Sequence, residues 1–414
     1  MMNNSLRYGL GLALCFASAV AMAQFELEDQ VLLTDIDPAT NNGRLGRTVA
    51  LGEDLVVMGA PEKTGGGAAY LFRISASRDL IFLREFAPQS SPSGYGGALV
   101  IDGDWLAIGH ASDDDPMEIY QRSGNDFVLR KVLDPPSVPD VQIRNFGSAI
   151  DLEDDRLIVG DSSANVAGEG NAGVVLIFRR DLGGANNWGL EDVITNLQSA
   201  NGFGRAVAID TDIAVVGDAA AERALVYQRS GSQWNLTGPL APQNPQAGDD
   251  FGVSVAVEGD IVAVGATNGN NSIAVTNSGS VHLFARNQGG VNQFGQIDEV
   301  VGSRAAFIDE FGADLRLRDG ILSVGSPGEN LAYLFIDGSS GWSEVAVIEP
   351  PPVSFGNVDF GGAVDFASGS FVIGAESWDD SSGSDRFGAV FLYENQVQRL
   401  CGSFDAIFCD RFEQ

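Results

Sequence analysis

The chain has 414 residues, 56 of them acidic and 24 basic, for a formal net charge of -32. A surface of that sign repels nucleic acid and anionic membranes, so neither is expected as a partner. At 44% hydrophobic residues there is ample material for a core, and length alone suggests two or three domains.

Residues 1–23 read as a cleaved targeting segment. Arg7 is its only charge, Leu10 to Ala21 is apolar, and Ala21-Met22-Ala23 forms a small-x-small cleavage site before Gln24. The apolar run is short for a membrane span. Leu14 before Cys15 is too large for the usual lipoprotein site. The mature protein is therefore expected outside the cytoplasm, secreted or at the cell surface, with the periplasm as a further compartment and no membrane insertion.

From residue 25 the chain is repetitive. A glycine recurs at Gly46, Gly96, Gly147, Gly204, Gly252, Gly312 and Gly361. A second follows 13 positions later in every copy, at Gly59, Gly109, Gly160, Gly217, Gly265, Gly325 and Gly374. A period near fifty residues signals a repeat architecture and overrides the domain count that length suggests. Each copy reads as four short strands. The first follows the opening glycine, as in Ala206-Val207-Ala208-Ile209. A tight polar turn comes next, such as Gly103-Asp104 or Asp319-Gly320. The second strand is wholly apolar, as in Ile261 to Val264, the pattern of a strand covered on both faces. The third is typified by Gly279 to Phe284. The fourth is led by an aromatic: Phe127, Trp188, Trp234 or Trp342.

Two residues after the opening glycine stand Thr48, Ala98, Ala149, Ala206, Ser254, Asp314 and Ala363, six of the seven being small. Strands crowded around a central axis need such side chains. The pattern therefore predicts an all-β, seven-bladed β-propeller over 24–400 with four-stranded antiparallel blades. A solenoid is the alternative, but no end caps are visible. The seventh copy lacks a fourth strand. Residues 25–33 have that pattern, and pairing them with 389–393 would close the ring and cover an open edge.

The connections between strands two and three, and the Pro-rich segments between copies (Ala87 to Pro92, Asp134 to Pro139, Glu349 to Pro352), vary most. In an up-and-down blade both kinds emerge on one face, where binding is expected. Acidic residues recur in these loops: Asp113 with Asp115, and Asp379 and Asp380 with Asp385. Oxygen-rich loops can hold calcium or a basic partner, but none has EF-hand spacing, and solvated acid is the commoner outcome. Of the two histidines, His282 takes an apolar strand position and His110 follows Gly109. No nucleophile-elbow, zinc or phosphate-loop motif appears. No cofactor is expected.

Phe-Gly opens five copies (Phe146, Phe203, Phe251, Phe311 and Phe360 before their glycines), and Gly59-Ala60-Pro61 follows in the first. With these motifs the chain resembles the FG-GAP repeat of integrin-α-type propellers, closer in spacing to their bacterial secreted branch. The resemblance covers about 25–395. It implies extracellular adhesion, or protein or glycan binding, usually without catalysis. Proline after Gly-x survives only at Pro61 and Pro327. The calcium loop that integrin-type repeats carry between strands one and two is here a tight turn, too short to wrap an ion needing six or more oxygens, so calcium is not carried over.

Residues 401–414 form a separate tail. Cys401 and Cys409 are the only cysteines left after cleavage, and an even pair in an exported chain suggests a disulfide. Ile407 to Glu413 resembles short Asp-Gly-Phe-Glu-type tails on exported Gram-negative proteins, with Arg411 in place of the glycine. The function expected is that of a monomeric, non-catalytic binding or adhesion module for an extracellular protein or glycan. A propeller-fold polysaccharide hydrolase or lyase is the alternative. Aromatics gathered with two carboxylates around one mouth of the ring would favour the enzyme.

Overall fold

The computed structural model describes residues 25–37, 42–88, 94–110, 115–196, 202–269, 277–304, 309–338, 341–352, 358–379 and 386–395. Seven four-stranded antiparallel sheets stand around one axis. Their innermost strands are Thr48–Leu51, Tyr95–Asp102, Ala149–Glu153, Phe203–Asp210, Phe251–Glu258, Leu315–Arg318 and Phe360–Ala367, and they number blades 1 to 7. Second strands are buried from end to end in blades 1, 2, 4, 6 and 7, as in Leu55–Ala60 and Ser370–Ala375. Outer strands alternate, as in Asp126–Leu133.

Closure follows the expected route. Phe25–Leu32 is the outer strand of blade 7 and pairs antiparallel with Ala389–Asn395, from Phe25 opposite Asn395 to Leu32 opposite Ala389. The strand stops one residue short of the predicted end, because Leu33–Ile36 forms a single helical turn. Both chain ends thus complete one sheet, which excludes an open solenoid.

The core is divided into seven clusters, each shared by neighbouring blades. One holds Val31, Leu45, Val56 and Tyr70 with Val372 and Leu392, across the seam between blades 7 and 1. Another joins Trp105 and Ile119 of blade 2 to Val159 and Trp188 of blade 3. The aromatics that lead the fourth strands fill these layers: Phe127 and Trp188 are 1% exposed, and Trp188 meets Trp105 edge-to-face at 5.4 Å. Each such side chain withdrawn from water contributes about 1.5–3 kcal/mol, so the ring is held mainly by what lies between blades.

The two repeat glycines serve this packing for different reasons. All seven opening glycines have φ between +83° and +96°, a region costly for other residues. The second glycines lack positive φ but sit against the next blade. A Cβ on Gly59, Gly109, Gly160, Gly217, Gly265 or Gly325 would overlap the carbonyl oxygen of the following blade's opening glycine, and one on Gly374 would overlap that of Gly46. This contact runs around the whole ring. Thr48 and Ser254, among the small inner-strand residues, use their hydroxyls across it, donating to Gly96 O at 2.6 Å and Gly312 O at 2.5 Å.

Candidate functional site

Two places on such a ring can meet a ligand: the axial channel, and the face carrying the loops that join strands two to three and one blade to the next. The opposite face carries the tight hairpin turns, whose leading residues Gly103, Asp154 and Asp319 have φ of +51° to +55°.

The channel encloses about 740 Å3 and is lined by the inner strands of all seven blades. Its lining includes ten carboxylates (Glu53, Asp102, Asp104, Asp151, Glu153, Asp210, Glu258, Asp314, Asp319, Asp365) and five arginines (Arg47, Arg122, Arg205, Arg316, Arg318). No lining residue is aromatic.

Most of these acids staple one blade to the next by accepting its backbone amides. Asp102 accepts from Asp154 N at 2.9 Å, Asp151 from Ile209 N at 2.9 Å, Asp314 from Val364 N at 2.8 Å and Asp365 from Leu51 N at 2.7 Å. Asp210 accepts from Gly259 N, and Glu258 from Asp319 N and Gly320 N. Six of the seven seams carry such a bond. The seventh, between blades 1 and 2, has the Arg122–Asp54 ion pair at 2.6 Å. Charge-assisted bonds of this kind are about twice as strong as neutral ones. The acids stand two, four or six residues after the opening glycine, on inner strands that otherwise read as core or, for Asp314, just before one.

Arg316 of blade 6 reaches Asp151 of blade 3 at 3.3 Å and Asp365 of blade 7 at 3.5 Å. One guanidinium therefore braces the channel from side to side. Burial alone would lower its pKa, but Asp365 and Asp151 outweigh that and raise it. Burial lifts Asp151 against the pull of Arg316. Asp314 is pushed up to about 6, first by burial and then, against its amide bonds, by neighbouring Asp365. Glu153 is pushed up to about 7 by burial and by Asp102, Asp210, Asp151 and Asp154.

On the loop face, Asp115 and Asp379 lie half-buried in the connections between strands two and three of blades 2 and 7, with blade 1 between them. Asp113, Asp380 and Asp385 lie outside the described residues, as do residues 1–23, the tail, Cys401 and Cys409. Among the described residues no group of three or more His, Cys, Asp or Glu is arranged to hold a metal ion. The best-described loop is that of blade 3, where Asn165–Val166 pairs with Val141–Gln142 of the preceding connection. Asp161, 1% exposed, anchors it by accepting from Arg144 N, Asn145 N and Ser163 N.

Both histidines are packed. His110, 1% exposed, lies 3.0 Å from Pro116 O through Nε2 and meets Tyr95 edge-on. His282 is 7% exposed and held down to about 4 by burial, with Nε2 3.0 Å from Ser280 Oγ. That spacing is the one a serine nucleophile and its base require, and no sequence motif signals it. The hydrogen-bond network assigns the opposite polarity. Gln296 Oε1 accepts from Gln243 N at 2.8 Å, so its Nε2 donates to His282 Nδ1 at 3.1 Å. A neutral ring accepting at Nδ1 carries its proton on Nε2 and donates to Ser280. It cannot take the serine's proton.

A family model described as FG-GAP repeat matches residues 234–284, from the outer strand of blade 4 through the third strand of blade 5. The match is offset by one strand from a blade, as expected where the chain closes with a strand from its other end. The crystal structure of a protein from Lactobacillus plantarum is similar at a TM-score of 0.50 and 16% identity, over 74% of this chain and 85% of that one. At that identity the likeness is one of fold. No curated protein matches the sequence. The chain is thus a seven-bladed β-propeller whose blades all open on the same glycine, and one of its repeats matches the FG-GAP repeat.

Proposed function

We propose that this protein is a non-catalytic binding module of the cell exterior, exported by its leader, which recognises an extracellular protein or glycan through the loop face. The observation that carries this reading is the division of labour between the two places a ligand could enter. The channel's acids are largely engaged by backbone amides and Arg316, and its wall offers no aromatic platform for a sugar. Seven rigid blades instead present connections of unequal length on one face, from the three-residue turn Ala219–Ala221 to the paired loop of blade 3. Variable loops on a stiff scaffold are the usual seat of recognition.

The test is capture of partners from the organism's own surface extract, with and without calcium, by the wild type and two variants. In one, residues 162–172 are replaced by a short Gly-Ser turn. In the other, Asp104→Asn alters the turn face. Loss of capture in the first alone is expected. Loss in the second alone, or release of reducing sugar from polysaccharide by the wild type, would overturn the reading.

A further inference from the structure

We propose that the loop-side mouth of the channel is a carboxylate clamp, in which Arg205 and Arg47 grip from opposite walls one acidic group carried by a protein partner. This rests on the loop face being the seat of recognition. The channel wall is charged differently at its two ends. Six residues after the opening glycine, toward the tight turns, stand Asp102, Glu153, Asp210 and Glu258. One residue after it, at the loop-side mouth, stand Arg47, Arg205 and Ser148, and in the other four blades only glycine, alanine or valine. That ring holds two cations and no carboxylate, in a chain of net charge -32. One residue deeper, Asp314 is engaged, accepting from Val364 N at 2.8 Å.

The channel contains its own ruler. Arg316 of blade 6 reaches Asp151, three blades away, at 3.3 Å. One arginine and one short carboxylate therefore span the bore at that level. Arg205 of blade 4 and Arg47 of blade 1 are also three blades apart, and stand three residues, about 10 Å, nearer the loops. An acidic group on the axis there completes the same span with an arginine on each side. Arg205 is exposed and forms no ion pair among the described residues. Arg47 is 41% exposed and touches Glu376 of blade 7 at 3.0 Å, a carboxylate that Arg44 also holds at 3.4 Å. Glu376 thus keeps a partner when Arg47 turns to a ligand. A forked guanidinium matches a carboxylate through two parallel bonds, and two of them suit one acidic group. A polyanionic glycan would bring its further charges against the net -32. A protein offering one Asp, Glu or chain terminus, neutral or basic around it, meets the mouth without that repulsion.

The full chain with isotope-labelled arginine is titrated with sodium acetate, and with sodium chloride at matched ionic strength, while the arginine Nε–Hε resonances are followed. Arg205→Gln and Arg47→Gln each identify one signal. Arg130→Gln identifies a rim arginine, bonded to Gln121 at 3.1 Å, as the control. Acetate is expected to move the Arg205 and Arg47 signals together and saturably, to leave Arg130 unmoved, and to bind about tenfold more weakly to either mouth variant. Chloride moving the two signals as far as acetate does, or only one of the two responding, overturns the clamp. Polygalacturonate binding more tightly per carboxylate than acetate overturns the choice of a protein over a glycan. In capture from the surface extract, Arg205→Gln should retain less partner than the wild type. Capture that Arg205→Gln leaves unchanged, and that replacing residues 162–172 abolishes, overturns the clamp and leaves loop-face recognition standing.

Discussion

Three glycines of blades 2 and 3 separate the two reasons for glycine in this ring. Gly124 sits in an open turn at φ +65° with nothing near an added Cβ. Gly147 has φ +84°, and an added Cβ would find Gly109 Cα at 3.4 Å and Met117 Cβ at 3.6 Å, ordinary contacts. Gly109 lacks positive φ, but its Cβ would overlap Gly147 O. Alanine at Gly124 or Gly147 should therefore cost the left-handed backbone alone, about 1–2 kcal/mol. Alanine at Gly109 must push blade 3 outward. That adds an overpacking cost of about 1–3 kcal/mol. It also strains the bond from His110 N to Gly147 O, at 3.2 Å, which is worth about 1 kcal/mol. The sum is about 2–4 kcal/mol. Urea or guanidinium unfolding reads these as midpoint shifts at constant slope. The order expected is Gly109→Ala well below Gly147→Ala, with Gly124→Ala close to the latter. A Gly109→Ala protein as stable as Gly124→Ala would refute the view that blades approach to backbone contact.

Arg316→Met leaves Asp151 and Asp365 without their shared cation. Since the guanidinium is 23% exposed, the loss should fall at the low end of the range for breaking a buried pair, about 3 kcal/mol, measured by denaturation at pH 8. A chain starting at residue 34 exposes the edge of Ala389–Asn395 and should lose cooperative unfolding and aggregate; a synthetic 25–33 peptide added in trans should restore a monomeric peak on size exclusion. Ser280, facing a histidine that donates rather than accepts, should resist a fluorophosphonate probe, and rapid labelling would contradict the tautomer assigned here. Arg78→Ala removes the 2.7 Å partner of the buried Glu394 across the closing seam and should cost about 1 kcal/mol, less at high salt because Arg78 is exposed.

The blades were legible in the sequence because each is a local object. Glycine spacing, the Asp- and Gly-rich turns and the apolar second strands lie within fifty residues, and each has its own chemistry. Closure was legible too, since strand 25–33 carries a pattern that blade 7 lacks. The channel was not. Asp151, Asp314 and Asp365 look like misplaced acids in core strands, because their partners are backbone amides of the following blade, and an amide has no sequence signature. The Arg316 brace joins residues 165 positions apart, and only the closed ring brings them together. The β-bulge in every outer strand, such as that between Leu27 and Asp29, was likewise unseen. Its purpose emerges across a seam, where Asp29 accepts from Leu80 N at 2.7 Å. Acid in this chain thus reads as solvation from one blade and as fastening from two.

Blade 7 is completed by a strand from each end of the chain, so Phe25 and Asn395 leave the ring side by side, at the turn-side corner of one sheet. Whatever is joined before the one or after the other hangs from that corner. A tether at either end, to a surface or to a fusion partner, would hold the propeller with its uneven loops turned outward toward whatever passes.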